Sequence, residues 1–319
     1  MAVLVGIDEA GFGPILGPLV VSSTAFSMSS ETLKADLWKF LRNSVTQTKN
    51  RLAGRILIAD SKKAYTRSLG IKHLQRTVLT CLACLDRKPA TVNDLLAELC
   101  PNCRTRILEY PWHQNLDTCT LAANNAAVSI AAEMLKNDLQ ANKITLLGLE
   151  SRCLDVAYYN KMVADVKNKA NVLFTATATL IKNAYDRYDD DEIQVIADRQ
   201  GGRSHYRQNL LLMFGDMKLK ILRETPTISS YELSAGCRRM RVHFVVAADD
   251  KYLPVSLASM VSKYVRELLI DGMNHYFRGF CADLKPTAGY WKDGLRFIDD
   301  LKRHLPHMQY DSNQLIRCR

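Results

Sequence analysis

The sequence predicts an α/β fold with a mixed sheet flanked by helices. Three observations lead there. Short apolar runs of strand length alternate along the chain with longer stretches of helical spacing. Several of these runs end in an acid followed by a turn residue. No repeat, low-complexity tract or long linker interrupts the 319 residues, of which 47% are hydrophobic and 24% charged. A chain of this length buries a large core, as one big domain or two smaller ones. No boundary stands out, so a single domain over 1–319 is expected. It would carry an insertion at about 86–143 and a helical C-terminal segment over 254–319.

The elements follow in order. "AVLVGID" (2–8) reads as a buried strand, and "GPLVVSSTAF" (17–26) as its hairpin partner across a glycine-rich loop. "SSETLKADLWKFLRNSV" (29–45) opens with a serine cap and an early acid, so a helix is expected. "RILIAD" (55–60) reads as a third strand ending in Asp60, and 69–85 is helical by spacing. Within the irregular stretch 86–143 only 120–140 is a clear helix. A strand is expected over 143–151, one long or two abutting helices over 158–188, and a strand over 191–202 that ends in Asp198 and breaks on two glycines. Strands are expected at 218–223 and 229–235. "RRMRVHFVVAADD" (238–250) alternates Met240, Val242, Phe244 and Val246 on one face, leaving Arg239, Arg241 and His243 on the other. Helices are expected over 254–280 and 290–305.

Lys and Arg number 43 against 33 acids, a formal charge of +10. Such an excess suits a polyanionic partner or is merely a basic surface. Nine cysteines without a small-scaffold pattern point to free thiols in a reducing interior. No basic segment precedes the first apolar run, which is only a strand long, so neither a signal peptide nor a membrane span is expected. The expectation is a cytoplasmic monomer with no membrane partner. Cys81-x-x-Cys84 and Cys100-x-x-Cys103 have zinc-ribbon spacing. "TCLACL" lies in an apolar helical stretch with no knuckle turn, whereas "CPNC" could form one. A structural zinc and a set of buried thiols are the two readings.

Four acidic sites share one context. Asp8 with Glu9, Asp60, Asp198, and Asp249 with Asp250 each follow an apolar strand and precede a turn or helix. Ligands of α/β sheets bind beyond strand ends, and carboxylates converging there repel unless something positive sits between them. Mg²⁺ or Mn²⁺ suits such a set, and two ions about 3.5–4 Å apart can cleave a phosphodiester. Strand ends are also simply where solvent begins. Adjacent strand residues face opposite ways, so Asp8 and Glu9 share a site only if the strand bends, which Gly11 permits. Ser61 and Lys62, at a turn into a helix, suit a phosphate. Arg203, His205, Tyr206, Lys263 and Arg266 are further phosphate candidates, or ordinary solvated side chains.

At this point the residues resemble a known family. "GIDEAGFGPILGPLVV" is similar to the opening motif of the type 2 ribonucleases H (ribonuclease HII), and "ADSKKAY" (59–65) to that family's Asp-Ser-Lys-Lys segment. "VIADRQGGR" (195–203), "AADDKYLPVSLASMVSKYVREL" (247–268) and "KPTAGYW" (285–291) resemble its later motifs, in the family's order. The resemblance covers about two thirds of the chain and leaves 86–143 unmatched. It implies a ribonuclease H-like fold. It also implies hydrolysis, with Mg²⁺ or Mn²⁺, of the RNA strand of RNA/DNA hybrids or of ribonucleotides embedded in duplex DNA, leaving 5′-phosphate and 3′-hydroxyl ends. The family's Asp-Glu-Asp-Asp set maps onto Asp8, Glu9, Asp198 and Asp249, with Asp250 as the alternative to the last. Gly11-Phe12-Gly13 stands where the family usually reads Gly-Arg-Gly, beside the ribose 2′-hydroxyl. Phe12 cannot donate to a phosphate and either stacks on sugar or base or is buried. Tyr290 matches the family tyrosine that packs on the neighbouring deoxyribose.

Two rivals belong to other classes. An actin-like or sugar-kinase-type ATPase also opens with strand, Asp and glycine turn, but Arg199 and Gln200 fit poorly in its second phosphate loop. A nucleic-acid-binding protein of the same fold that has lost efficient cleavage would account for Phe12. Retention of all four acids speaks against it, because clustered carboxylates are costly without a cation.

Overall fold

The computed structural model describes residues 1–66, 70–121, 125–189 and 192–318. The starts of the helix and strand expected at 69 and 191, and 122–124 of the helix expected over 120–140, lie outside the described residues.

Nine strands are present among the described residues: β1 (Ala2–Ala10), β2 (Leu19–Met28), β3 (Val45–Thr46), β4 (Ile56–Leu57), β5 (Thr145–Leu154), β6 (Glu192–Asp198), β7 (Lys218–Glu224), β8 (Ile228–Ala235) and β9 (Arg238–Val245). Helices of eight or more residues are α1 (Lys72–Cys84), α2 (Val92–Leu99), α3 (Asn125–Ala141), α4 (Val156–Val166), α5 (Lys169–Arg187), α6 (Leu253–Phe280) and α7 (Trp291–His304). Seven strands form one sheet in the order β5-β2-β1-β6-β9-β8-β7. β1, β6 and β9 run parallel at its centre, and β2, β5, β8 and β7 pair antiparallel. The result is a mixed sheet flanked by helices, as the sequence predicts.

Most elements fall where periodicity places them; two regions differ. The stretch 29–45 forms only a 3₁₀ turn at Thr32–Lys34 and a single turn at Leu37–Phe40. Asp36 rather than a serine caps the latter, accepting from the Trp38 amide at 3.1 Å. The strand expected at 55–60 shrinks to β4, which pairs with β3 in a separate two-stranded sheet. The abutting helices over 158–188 are α4 and α5, divided at Lys167, which adopts the left-handed conformation (φ 51°).

Period two sets the two faces of β1. Val3, Val5 and Ile7 are buried with Leu173 and Phe174 of α5 and with Val195, Val242 and Phe244. Ala2 and Leu4 face the other way, into the cluster that holds Val261 and Val265 of α6. Gly6, on that same side, is a contact requirement: a Cβ there would lie 2.2 Å from the Pro254 carbonyl carbon and 2.4 Å from the Val255 nitrogen. Only glycine lets the start of α6 rest on β1. Serines complete the contact, with Ser262 Oγ donating to Asp8 O (2.9 Å) and to Ser22 Oγ (2.8 Å), and Thr24 Oγ1 donating to Pro254 O (2.8 Å).

The 86–143 stretch contributes Leu95, Leu99, Cys100 and Ile107 to the apolar cluster that holds Leu74, Val78 and Met260. The four cysteines of the ribbon spacing form no metal-holding group among the described residues. Cys81 and Cys84 lie on α1, while Cys103 Sγ accepts from the Cys153 amide of β5 at 3.4 Å. Burial raises the thiols of Cys81 and Cys100 well above their ordinary value and pushes Cys84 up to about 12, so these sulfurs stay protonated.

Candidate active site

Three adjacent parallel strands deliver the acids. β1 pairs with β6 only as far as Ile7 opposite Ala197, yet continues along β2 to Ala10 opposite Val20. The two central strands therefore part at the next residues, Asp8 and Asp198. Their carboxylates flank the gap, as expected for ligand sites beyond strand ends. β9 stops at Val245, opposite Asp198. The chain then turns through Ala247, in the left-handed region (φ 52°), into the 3₁₀ turn Ala248–Asp250 that carries Asp249. This turn braces its neighbour: the Ala248 amide donates to Asp198 Oδ1 at 2.7 Å.

Electrostatics ties the group together. Burial, then repulsion from Glu9 and Asp198, raises the Asp8 carboxyl well above its ordinary range. Burial and Asp198 push Glu9 up to about 8. Burial raises Asp198. Burial, Asp60 and Asp198 push Asp249 up to about 6. Asp8 and Glu9 thus act on one locality although they are neighbours on a strand. Asp250 is drawn away into an ion pair with Lys63, so Asp249 rather than Asp250 faces the cluster.

Lys62 answers these charges directly. Burial alone would lower the Lys62 ammonium, but Asp60, Asp249, Asp8 and Asp198 raise it. Asp60 caps the turn Ser61–Ala64, accepting from the Lys62 amide at 2.9 Å, and so brings Ser61 and Lys62 to the site. Ser61 is buried, its Oγ 2.9 Å from Ser259 Oγ of α6, and Ser259 also reaches the Asp8 carboxylate. Lys251, three residues beyond Ala248, also favours ionised Asp198.

Among the described residues no three His, Cys, Asp or Glu side chains already close around a point as a metal cage. The donor chemistry nevertheless fits a hard cation. Several carboxylates share a partly buried pocket, held towards protonation by one another and by burial, and Lys62 is too little to offset them. Mg²⁺ commonly takes only one or two carboxylates and completes its shell with water and phosphate oxygens.

The glycine loop sits on the rim. Gly11 has φ +89°, and a Cβ there would meet Arg266 Nε at 2.4 Å and Pro18 O at 2.7 Å. Gly13 faces open space. Phe12 is half-buried, its ring 3.7 Å from where a Gly201 Cβ would stand and 5.7 Å from Lys169 Nζ. Arg317 straps the loop from beneath, its guanidinium donating to Gly11 O at 2.6 Å and to Pro14 O. Tyr290 is half-exposed beside Arg266, 5.7 Å from its guanidinium. The segment before Tyr290 is hydrogen-bonded to the loop, with the Ile15 amide donating to Gly289 O at 2.8 Å.

Other candidates lie elsewhere. Arg203 donates to Asn171 Oδ1 at 2.7 Å and faces the Phe174 ring, so its guanidinium is held against α5. His205 pairs with Glu224, and Tyr206 is fully buried, stacked 3.6 Å from Phe244. Lys263 pairs with Glu267 at 2.8 Å. Arg266 is fully buried and donates to Ala288 O at 2.9 Å and Leu16 O at 3.3 Å, so it braces the loop instead of meeting a phosphate. The turn after β6 suits an ATPase phosphate loop poorly: Gln200 is buried against Thr177, and Arg199 is tied to Thr225 O (3.0 Å) and Ser229 Oγ (3.1 Å). Sequence reading missed Ser259, Lys251 and Arg317. The spacing of Ser256, Ser259 and Ser262 was a usable signal for the first; nothing local marks Arg317.

No protein-family model matches the chain, and no curated protein matches it. Solved structures do. A chain of the PCNA:RNase HII complex from Archaeoglobus fulgidus is 16% identical, over 99% of this chain and 94% of that one, with a TM-score of 0.46. Ribonuclease H2 from Pyrococcus horikoshii OT3 is 14% identical, over 98% of this chain and 92% of that one, also with a TM-score of 0.46. Bst-RNase HIII, in complex with Mn²⁺, is 13% identical, over 99% of this chain and 66% of that one, with a TM-score of 0.43. Among the described residues no helix is long and apolar enough to cross a membrane.

Proposed function

We propose that this chain is a divalent-metal-dependent endonuclease that hydrolyses the RNA strand of RNA/DNA hybrids, or ribonucleotides embedded in duplex DNA, leaving 5′-phosphate and 3′-hydroxyl ends. One observation carries the reading. Asp8, Glu9, Asp198 and Asp249, carried by β1, β6 and the turn after β9, raise one another's carboxyls, and Lys62 only partly offsets their charge.

In this reading Asp8, Glu9, Asp198 and Asp249 hold Mg²⁺ or Mn²⁺. A bound ion would supply charge stabilisation at the phosphodiester and would make water more acidic. The protein supplies position. Ser259 and the Ala248 amide orient Asp8 and Asp198. Lys62, beside the acids, would meet a phosphate oxygen as a point charge. Gly11 and Gly13 let backbone approach the ribose, and Arg317 keeps their loop in place. Phe12 packs towards Gly201 and Lys169, so here it braces the loop and is not a free stacking platform. Tyr290 offers its exposed ring to the next sugar.

The test is incubation with Mn²⁺ or Mg²⁺ of two labelled duplexes, a continuous RNA/DNA hybrid and a DNA holding one ribonucleotide. Cutting that disappears in Asp198→Asn is expected. Cutting of the hybrid alone would assign a changed junction preference to the Gly11-Phe12-Gly13 loop. Tight binding of both without cutting would replace the enzyme with the binding protein.

A further inference from the structure

The residues that alternate out of the core along β7, β8 and β9 form a surface that the proposed site does not use. Cross-strand register fixes which side chains share it. Lys218 lies opposite Ser234 and Ser234 opposite Arg239; Lys220 lies opposite Glu232 and Glu232 opposite Arg241; Arg223 lies opposite Ser230 and Ser230 opposite His243. The parallel register carries the face on to β6, where Glu192, Gln194, Ile196 and Asp198 stand beside Arg239, Arg241, His243 and Val245. This is therefore the sheet face that bears Asp198. On the reverse face Tyr231, Leu233, Met240, Val242 and Phe244 are all buried.

Helix α6 covers this face over β1 and β2 and leaves it open beyond β6. Lys218, Lys220, Arg223 and Arg239 are exposed there, and among the described residues none of the four has an ion-pair partner. Apart from Asp198 at the gap, the acids Glu192 and Glu232 of the face are already engaged, because Arg241 bridges Glu192 at 3.3 Å and Glu232 at 3.0 Å. Four unneutralised cations on a flat polar face adjoining an acid-lined gap would repel any basic partner and attract a phosphate backbone.

From this register we infer that the open face of β9, β8 and β7 is a remote nucleic-acid footprint, on which Lys218, Lys220, Arg223 and Arg239 hold backbone phosphates of the duplex whose scissile bond lies at Asp198. The inference rests on the proposed nuclease reading for its substrate. Arg239 precedes Val245 by six residues, about 20 Å along the strand. A nucleic-acid strand advances about 3.4 Å per nucleotide, so the far contacts fall about five or six nucleotides from the cut. Arg223, level with His243, lies nearer the cut, so the far pair Lys218 and Arg239 is what makes the face favour long duplexes over short ones, and it reads no sequence.

The experiment measures binding by fluorescence anisotropy, without divalent metal, of the full chain to RNA/DNA hybrids of 8 and 30 base pairs across a salt series. Wild type is compared with Lys218→Gln/Lys220→Gln/Arg223→Gln/Arg239→Gln and with an equal charge change elsewhere, Lys34→Gln/Lys39→Gln/Lys88→Gln/Lys143→Gln. The face variant is expected to bind the long hybrid roughly tenfold or more weakly, with a salt slope lower by up to about four. Its affinity for the short hybrid is expected to fall by clearly less. Equal losses in both quadruple variants, or equal losses for both lengths, would overturn the footprint. So would unchanged binding of the long hybrid. Because binding is read without cleavage, failure of the footprint and failure of the nuclease are separable. Should the face variant not fold, amide exchange on wild type decides: protection of 218–224 and 238–245 by the long hybrid is expected, and its absence would overturn the inference.

Discussion

One face of the sheet is treated in two ways. Over β1 and β2 it lies beneath α6, with Gly6 against Pro254 and serines satisfying the few polar atoms left inside. Over β9, β8 and β7 the same face is bare and carries lysine and arginine. The four acids stand at the seam. The difference shows how such a pocket is made: a helix must come close enough to desolvate the carboxylates, and the sheet must stay open on the other side so that a large anion can reach them. Either condition alone leaves ordinary surface acids or an inaccessible charge.

The largest effect should come from the seam itself. Asp198→Asn is expected to lower cleavage on the order of 10³-fold or more, beyond the 10–100-fold usual for an outer partner of a metal ligand. The same change relieves repulsion and should stabilise the metal-free protein by about 0.5–2 kcal/mol. Thermal melting alongside single-turnover rates checks both, and a loss of stability would mean that the carboxylates do not oppose one another.

Next comes the covered half. Gly6→Ala would drive a Cβ into the Pro254 and Val255 backbone. The expected cost is about 3 kcal/mol, read from denaturant midpoints. A neutral result would mean that α6 does not need its close approach.

Acid should act through histidines on both halves: His243 of β9, whose imidazole burial lowers to about 4, and His113 beneath α6. His113 is buried, its Nε2 3.0 Å from Leu269 O of α6, and burial lowers its imidazole to about 4. The folded value is depressed below the unfolded one, near 6.5. The associated stability is therefore present above about pH 6.5 and is lost as pH falls towards 4. It amounts to roughly 3 kcal/mol at most. The stability difference between wild type and His113→Gln, followed from pH 7 to pH 4, should shrink by about that amount; a pH-independent difference would contradict it.

The smallest effect belongs to the open half. Arg241→Gln removes a solvent-facing bridge between Glu192 and Glu232 and should change stability by about 0.5–1 kcal/mol.

Much of this arrangement was legible in the sequence for physical reasons. Period two along 238–245 separates Met240, Val242 and Phe244 from Arg239, Arg241 and His243 without reference to any other strand. Acid and turn residues mark the ends of β1 and β6 in the same way. What sequence patterning missed depends on tertiary partners. The stretch 29–45 has helical spacing but breaks after single turns, and the strand at 56–57 pairs in a second sheet. Arg266 reads as a surface cation on a helix, yet it is wholly buried because three carbonyl or carboxylate oxygens, on Leu16, Ala288 and Glu267, receive its protons. Arg317 is 306 residues from the loop carbonyl it holds, and no local pattern can announce such a contact. The sequence raised Asp8 and Glu9 as a pair but could not decide whether they act together, because adjacent strand residues face opposite ways and the outcome depends on what packs around the strand end.

The central claim is that the acids at the parted strand ends form a divalent-cation site. The most direct measurement is a titration of Mn²⁺ into the full chain, followed by electron paramagnetic resonance of the free ion, for wild type and for Asp8→Asn/Asp198→Asn. The account predicts saturable binding to wild type that is lost in the double variant. Equal binding by both proteins, or none by wild type, would contradict it.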